Sequence, residues 1–194
     1  MIGVLVSGGG TNLQALLDAN LPVVAVASNK RDAPALARAR EVPTAAFELA
    51  DYDGRDERDA TMAAWLAAQD VELVVLAGYM QLLTPAFLDR FPDRIVNVHP
   101  SLLPAFPGLH AQRQALDHGA KVAGATVHFV DEGVDTGPIV LQAAVPVEPA
   151  DTEDTLAARI LGQEHRLYPE AVRLFARGRL RIEGRRVIVL PEAS

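Results

Sequence analysis

The sequence predicts an α/β protein: a mostly parallel twisted sheet with helices on both faces and an antiparallel C-terminal portion. Three features carry this expectation. Ile2-Gly3-Val4-Leu5-Val6 is followed by Ser7-Gly8-Gly9-Gly10-Thr11-Asn12 and then by Leu13, Leu16 and Leu17 at helical spacing. That is the strand, glycine loop and helix of a first βα turn in a doubly wound sheet. Glu72-Leu73-Val74-Val75-Leu76-Ala77 is a nearly continuous apolar run, as expected of a central parallel strand buried on both faces. Finally, a strand pattern at 126–130 and another at 139–147 are joined by a short glycine-punctuated loop, which suits an antiparallel pair.

The remaining elements follow in order. Val23 to Ala27 reads as the second strand, Pro34 to about Arg40 as a helix, and Thr44 to Phe47 as a weak strand. Asp51-Tyr52-Asp53-Gly54 is a turn, and Arg55 to Gln69 an amphipathic helix with Met62, Trp65 and Leu66 on its apolar side. Thr84-Pro85 suits the N-cap and first position of the next helix. Arg94-Ile95-Val96 is a short strand, and His110 to about His118 a helix closed by Gly119. Asp151 can cap a long C-terminal helix with Asp154 at its third position. Pro169 should end or kink that helix near Arg166, because proline lacks the N–H that the helix needs. Gly178 punctuates the far end, and Leu180-Arg181-Ile182 with Val187-Ile188-Val189 should form a hairpin around Gly184. There is no repeat, low-complexity segment or linker, so one domain over 1–194 is expected.

Composition narrows the function classes. The chain has 194 residues, 49% of them apolar, and no cysteine. Disorder is therefore not expected, and disulfides, thiolate metal sites and a cysteine nucleophile are excluded. The net charge of −7 argues against nucleic acid, whose phosphate backbone needs a basic face. A small anionic substrate would have to be held by local donors such as helix N-termini or single arginines. No apolar run approaches the roughly 18 residues of a membrane span, and Met1 to Val6 reads as a strand, not a signal. No membrane partner is expected, and a cytoplasmic location fits.

The segment Asn97-Val98-His99-Pro100-Ser101-Leu102-Leu103-Pro104-Ala105-Phe106-Pro107-Gly108 is the most distinctive. Asn97 and His99 alternate, so both side chains leave one face of the strand end. The prolines behind them hold an extended, non-helical course. An amide beside an imidazole there can polarise a carbonyl; a proline-rich surface turn with a solvated histidine is the alternative. A carboxylate within hydrogen-bond reach would favour the imidazolium. Asp135, in Asp131-Glu132-Gly133-Val134-Asp135-Thr136-Gly137-Pro138, is the best candidate, while Asp131 and Glu132 read as well as plain surface charges. His128, on an otherwise apolar strand, reads as a satisfied core histidine. The five histidines show no metal-ligand spacing, and no Gly-x-Ser-x-Gly elbow supports serine hydrolysis.

The glycine loop favours a small phosphomonoester, bound by backbone N–H groups at a helix N-terminus; a simple structural glycine turn is the alternative. A dinucleotide fits less well. Leu13 stands where its fingerprint places a third glycine, and Ser28-Asn29-Lys30 lacks the acidic residue that would hold a ribose. No Gly-Lys-Ser/Thr completes a P-loop.

Together these motifs resemble the phosphoribosylglycinamide formyltransferases, folate-dependent enzymes of purine synthesis. The resemblance runs from Ser7-Gly8-Gly9-Gly10-Thr11-Asn12-Leu13-Gln14 through Ser28-Asn29-Lys30, Val75-Leu76-Ala77-Gly78-Tyr79-Met80 and Asn97-Val98-His99-Pro100-Ser101-Leu102-Leu103-Pro104. It continues in Pro107-Gly108-Leu109-His110, Val127-His128-Phe129-Val130, Asp135-Thr136-Gly137-Pro138, Gln163-Glu164-His165 and Tyr168-Pro169. The resemblance implies a single Rossmann-like formyltransferase domain over 1–194. It implies a formyl group passing from 10-formyltetrahydrofolate directly to the amine of glycinamide ribonucleotide, without a metal, in a cytoplasmic monomer or homodimer.

The family's site residues carry over as implications. Asn97 and His99 would stabilise the oxyanion, and Asp135 would support the His99 imidazolium and help move the proton. Gly10, Thr11 and Asn12 would hold the ribonucleotide phosphate, with Pro100, Gly108, Gln163 and Glu164 completing the acceptor site. Arg55, Met80, Gln81, Leu82, Leu83, Asn97, Asp131, Glu132, Gly133, Val134 and Asp135 match the folate positions. The sequence departs from the pattern at Gly9 and Thr11, where relatives often carry Asn and Ser, at Gln81 for an arginine, and at Ala105 for a lysine. Sister enzymes are less well matched. A formyltetrahydrofolate hydrolase would need a domain before Ile2, and a methionyl-tRNA formyltransferase a basic domain beyond Ser194. A noncatalytic folate- or phosphate-binding module is the reading from a different class.

Overall fold

The computed structural model describes residues 1–192, which form two compact units, Met1–Asn97 and the part from Val98 onward. The first unit contains β1 (Ile2–Val6), α1 (Thr11–Asp18), β2 (Val23–Ser28), α2 (Pro34–Arg38), β3 (Thr44–Ala46), α3 (Arg55–Ala67), β4 (Leu73–Leu76) and α4 (Pro85–Leu88). β5 (Ile95–His99) closes it, and its last residues open the second unit.

The strands of the first unit are all parallel, in the order β3-β2-β1-β4-β5. The chain proceeds outward from β1 through β2 and β3 on one side, and through β4 and β5 on the other. The order therefore reverses between β1 and β4, and sheets of this kind bind ligands outside the carboxyl ends of strands at such a reversal. Every residue of β1 and β4 is buried, which explains why both read as apolar runs without alternation. On α3, Met62 and Leu66 are fully buried, and the half-buried Trp65 meets Phe47 edge-on, ring centroids 5.8 Å apart.

The second unit contains α5 (Ala111–Asp117), β6 (Val122–Phe129), β7 (Ile139–Pro146), α6 (Glu153–Ala176), β8 (Leu180–Glu183) and β9 (Arg186–Val189). β6 pairs antiparallel with β7, with an irregularity between Val127 and His128, and β8 pairs antiparallel with β9. The antiparallel portion and the terminal hairpin thus stand as the sequence predicts. The alternation at 126–130 does not produce an exposed face, since β6 is buried from Ala123 to Phe129.

Two expectations about α6 are corrected. Its N-cap is Thr152, whose hydroxyl accepts from the Thr155 N–H at 3.2 Å while the Thr155 hydroxyl accepts from the Thr152 N–H at 2.9 Å. Asp151 lies one residue outside. Its carboxylate takes Arg159 Nη1 at 2.6 Å and Nη2 at 2.8 Å and also the Glu148 N–H at 2.7 Å. The Arg159 hydrogen bonds, above all, hold its pKa well below the ordinary carboxylate range. The helix also runs past Pro169 to Ala176 instead of ending near Arg166. A proline in a helix costs about 3 kcal/mol, whereas each fully buried large apolar side chain contributes roughly 1.5–3 kcal/mol. Leu156, Ile160, Leu167, Tyr168 and Val172 are all buried along one face, so packing outweighs the local defect.

The reciprocal cap makes a stability prediction. Thr152→Ala should lower unfolding free energy by about 1 kcal/mol, read as a shift of the urea midpoint with an unchanged slope.

Candidate active site

At the carboxyl end of β1, Ser7 is 6% exposed. Its hydroxyl donates to Asn29 Oδ1 at 2.6 Å and accepts from the Met80 N–H at 2.9 Å. One side chain therefore joins the segments that follow β1, β2 and β4. The glycine loop beyond it is fixed through its carbonyls: Gly8 O accepts from the Ala35 N–H at 3.0 Å and Gly9 O from Arg38 Nε at 2.6 Å. Gly10, the N-cap of α1, has φ +71°, and a Cβ there would come within 2.5 Å of the Ala35 Cβ. Only glycine fits that conformation and that approach. No side-chain hydrogen bond caps α1, and the first turn of any helix presents backbone N–H groups that the helix itself does not use. Helix starts of this kind are where anions commonly bind.

The segment after β4 is held from α3. Arg55 Nη2 donates to Leu82 O at 2.6 Å and Asp59 Oδ2 accepts from the Thr84 N–H at 2.8 Å. Met80 and Leu82 stand 67% and 56% exposed, with Gln81 exposed between them and Leu83 half-buried. Tyr79 is buried, and burial pushes its hydroxyl pKa up to about 12, so it stays neutral.

In the second unit His99, at the end of β5, is 5% exposed. Its Nε2 donates to Phe106 O at 2.8 Å, and its Nδ1 lies 3.2 Å from Asp135 Oδ2. An acceptor oxygen thus faces each ring nitrogen. Asp135 Oδ2 also accepts from the Gly108 N–H at 2.8 Å, while Oδ1 lies 3.6 Å from His128 Nε2. The other ring nitrogen of His128, Nδ1, donates to Phe129 O at 2.8 Å. Burial of Asp135 opposes its ionisation, but the His128 ring, the Gly108 N–H and the positive charge of the two imidazoles outweigh burial and lower its pKa. The backbone delivers the acid by a tight approach: a Cβ on Gly137 would lie 1.8 Å from Phe129 O.

The structure thus brings together His99, Asp135 and Gly108. Asn97 is half-buried two residues before His99 on the same strand, and Pro100 follows it, also half-buried. Asp131 serves its own loop, with Oδ1 accepting from the Thr136 hydroxyl at 2.6 Å and the Gly133 N–H at 3.1 Å. Glu132, Gly133 and Val134 are exposed. On α6, Gln163 Oε1 accepts from Arg166 Nε at 3.2 Å, and Glu164 is 8% exposed. Sequence reasoning missed Ser7, Arg38 and Asp59 as supporting residues. It assigned His128 to the core, where the ring does lie, but it also faces the acid. The shared facing of Thr126 and His128 on the strand was the available signal.

The first unit is thus a parallel α/β sheet with a strand-order reversal, and the second holds an imidazole against a carboxylate. Residues 1–172 match the family model described as Formyl transferase, and the chain belongs to that family. It is 45% identical over 189 residues to the phosphoribosylglycinamide formyltransferase of Escherichia coli K12, covering 93% of this chain and 89% of that protein. It is 46% identical over 187 residues to the trifunctional purine biosynthetic protein adenosine-3 of Drosophila melanogaster, of which it spans 14%. The crystal structure of glycinamide ribonucleotide transformylase 1 from Symbiobacterium toebii superposes with a TM-score of 0.96 at 58% identity, covering 98% of this chain and 93% of that one. Among the described residues, no helix is long and apolar enough to cross a membrane.

The Asp135 environment fixes a pH dependence. A carboxylate whose folded pKa is depressed contributes stability above its unfolded pKa and loses it as pH falls through the folded value. The stability difference between the wild type and Asp135→Asn should therefore be constant near neutrality. It should shrink as pH drops below the ordinary aspartate value of 3.8, as followed by urea denaturation at stepped pH.

Proposed function

We propose that this chain transfers the formyl group of 10-formyltetrahydrofolate to the amine of 5'-phosphoribosylglycinamide, a step of purine biosynthesis, in the cytoplasm and without a metal. The observation that carries the proposal is the contact between His99 Nδ1 and Asp135 Oδ2 at 3.2 Å. Similarity over nearly the full length to enzymes named for this reaction supports it.

The amine nitrogen attacks the formyl carbon, and the carbonyl oxygen becomes an oxyanion. Asn97 and His99 donate to that oxygen, which replaces the Phe106 carbonyl at His99 Nε2 while Nδ1 stays on Asp135. The bond between the formyl carbon and the folate nitrogen then breaks, and the proton lost by the amine passes to that nitrogen. Asp135 holds the imidazolium and helps carry the proton. Gly10, Thr11 and Asn12 take the phosphate, and Pro100, Gly108, Gln163 and Glu164 complete the acceptor site, with Glu164 at the amine or ribose. Arg55, Met80, Gln81, Leu82 and Leu83, with Asn97 and the segment Asp131, Glu132, Gly133, Val134 and Asp135, seat the folate. The enzyme acts as a monomer or homodimer.

The purified protein should convert both substrates to formylated ribonucleotide and tetrahydrofolate, followed by the absorbance change of the folate. His99→Ala should lower kcat by about 10²–10³, the ordinary cost of one lost oxyanion donor. Asp135→Asn should also depress kcat. Unimpaired turnover in either variant defeats the mechanism.

A further inference from the structure

Arg58 and Asp59 are neighbours on α3, and Asp59 supports the segment after β4 through the Thr84 N–H. Both are buried, 1% and 0% exposed, on a helix otherwise rich in solvated charges. Adjacent residues on a helix do not face each other, so the guanidinium must turn back to meet its partner. It does so twice, with Nε at 2.9 Å and Nη2 at 2.7 Å from Asp59 Oδ1. This geometry leaves one arm of each ion unused within the pair. Asp59 Oδ2 takes the Thr84 N–H at 2.8 Å, and Arg58 Nη1 reaches Gln81 Oε1 at 3.5 Å.

A buried ion pair is not a good source of stability, since apolar residues of similar size often do as well. What the pair supplies here is direction. The segment above it carries two large apolar side chains, Met80 and Leu82, mostly exposed. An untethered loop would fold them inward. This one is tied at Met80 N by Ser7 and at Leu82 O by Arg55, and at 81 and 84 by the buried pair. Two further atoms show how constrained the segment is: among the described residues, Tyr79 Oη and Thr84 Oγ1 are buried without a hydrogen-bond partner. An arginine at position 81 would bring a second guanidinium against Arg58, so the amide of Gln81 is the side chain that fits.

We propose that the Arg58–Asp59 pair is the positioning device for residues 80–84 and thereby sets affinity for the formyl donor. The proposal rests on the assignment of Met80 to Leu83 to the folate site. Arg58 and Asp59 touch no substrate; they act through the loop.

The test is the double variant Arg58→Met/Asp59→Asn, which removes both charges and keeps an acceptor for the Thr84 N–H. Amide hydrogen exchange of residues 80–84 in the ligand-free protein should accelerate. The KM for 10-formyltetrahydrofolate should rise about tenfold, with kcat and the KM for the ribonucleotide little changed. A purely structural pair would lower the melting temperature without that split. Should the double variant fail to fold, Gln81→Ala, at an exposed position, reads the same exchange. Unchanged exchange at 80–84 overturns the proposal. Faster exchange with an unchanged donor KM overturns the link to the donor. Absence of formyl transfer by the wild type would instead defeat the reaction assignment, independently of the exchange result.

Discussion

The carboxylate of Asp135 is buried enough to resist ionisation, yet a hydrogen bond from Gly108 and the imidazoles of His99 and His128 keep it charged. The rest of the second unit's site depends on that balance. A neutral acid would leave His99 Nδ1 facing a weaker partner. Each of the three supports comes from a different stretch of chain: the proline-rich loop, the end of β5 and the end of β6. The irregular course of residues 100–110 is what places the Gly108 N–H against the acid, while Phe106 O occupies the opposite side of the His99 ring.

In the first unit the equivalent constraint is the reversal of strand order between β1 and β4. It places the glycine loop and the segment from Gly78 onward at adjacent strand ends, and Ser7 ties the two together by its hydroxyl. The loop's carbonyls are engaged by α2, through the Ala35 N–H and Arg38, and α1 has no side-chain cap. The backbone is thus fixed on one side through its carbonyls, while the start of α1 carries no side-chain cap.

Much of this was legible in the residues. The strands of the parallel sheet stood out because burial on both faces requires apolar runs, and the hairpin around Gly184 because its turn chemistry is explicit. Asn97, His99 and Asp135 could be named, but the distance joining His99 to Asp135 could not, because it depends on the path of two irregular loops. The N-cap of α6 was misplaced by one residue, since Asp151 and Thr152 are both good caps and only the Arg159 contact decides between them. Pro169 misled because a local rule was overridden by the buried face of the helix. Arg58 and Asp59 were invisible for the opposite reason: charges on an amphipathic helix ordinarily mark its wet side, and nothing in their spacing signals burial.

The acid-bearing loop divides into two parts with unlike tolerance. Gly137 is pressed against the carbonyl of Phe129 and Asp131 is bound into its own turn, whereas Glu132 and Val134 are open to solvent. Substitutions at these outer positions can change what the loop presents to solvent without displacing the carboxylate a few atoms away. A rigid mount for an acid and a rim free to vary therefore lie side by side within a single short hairpin connection.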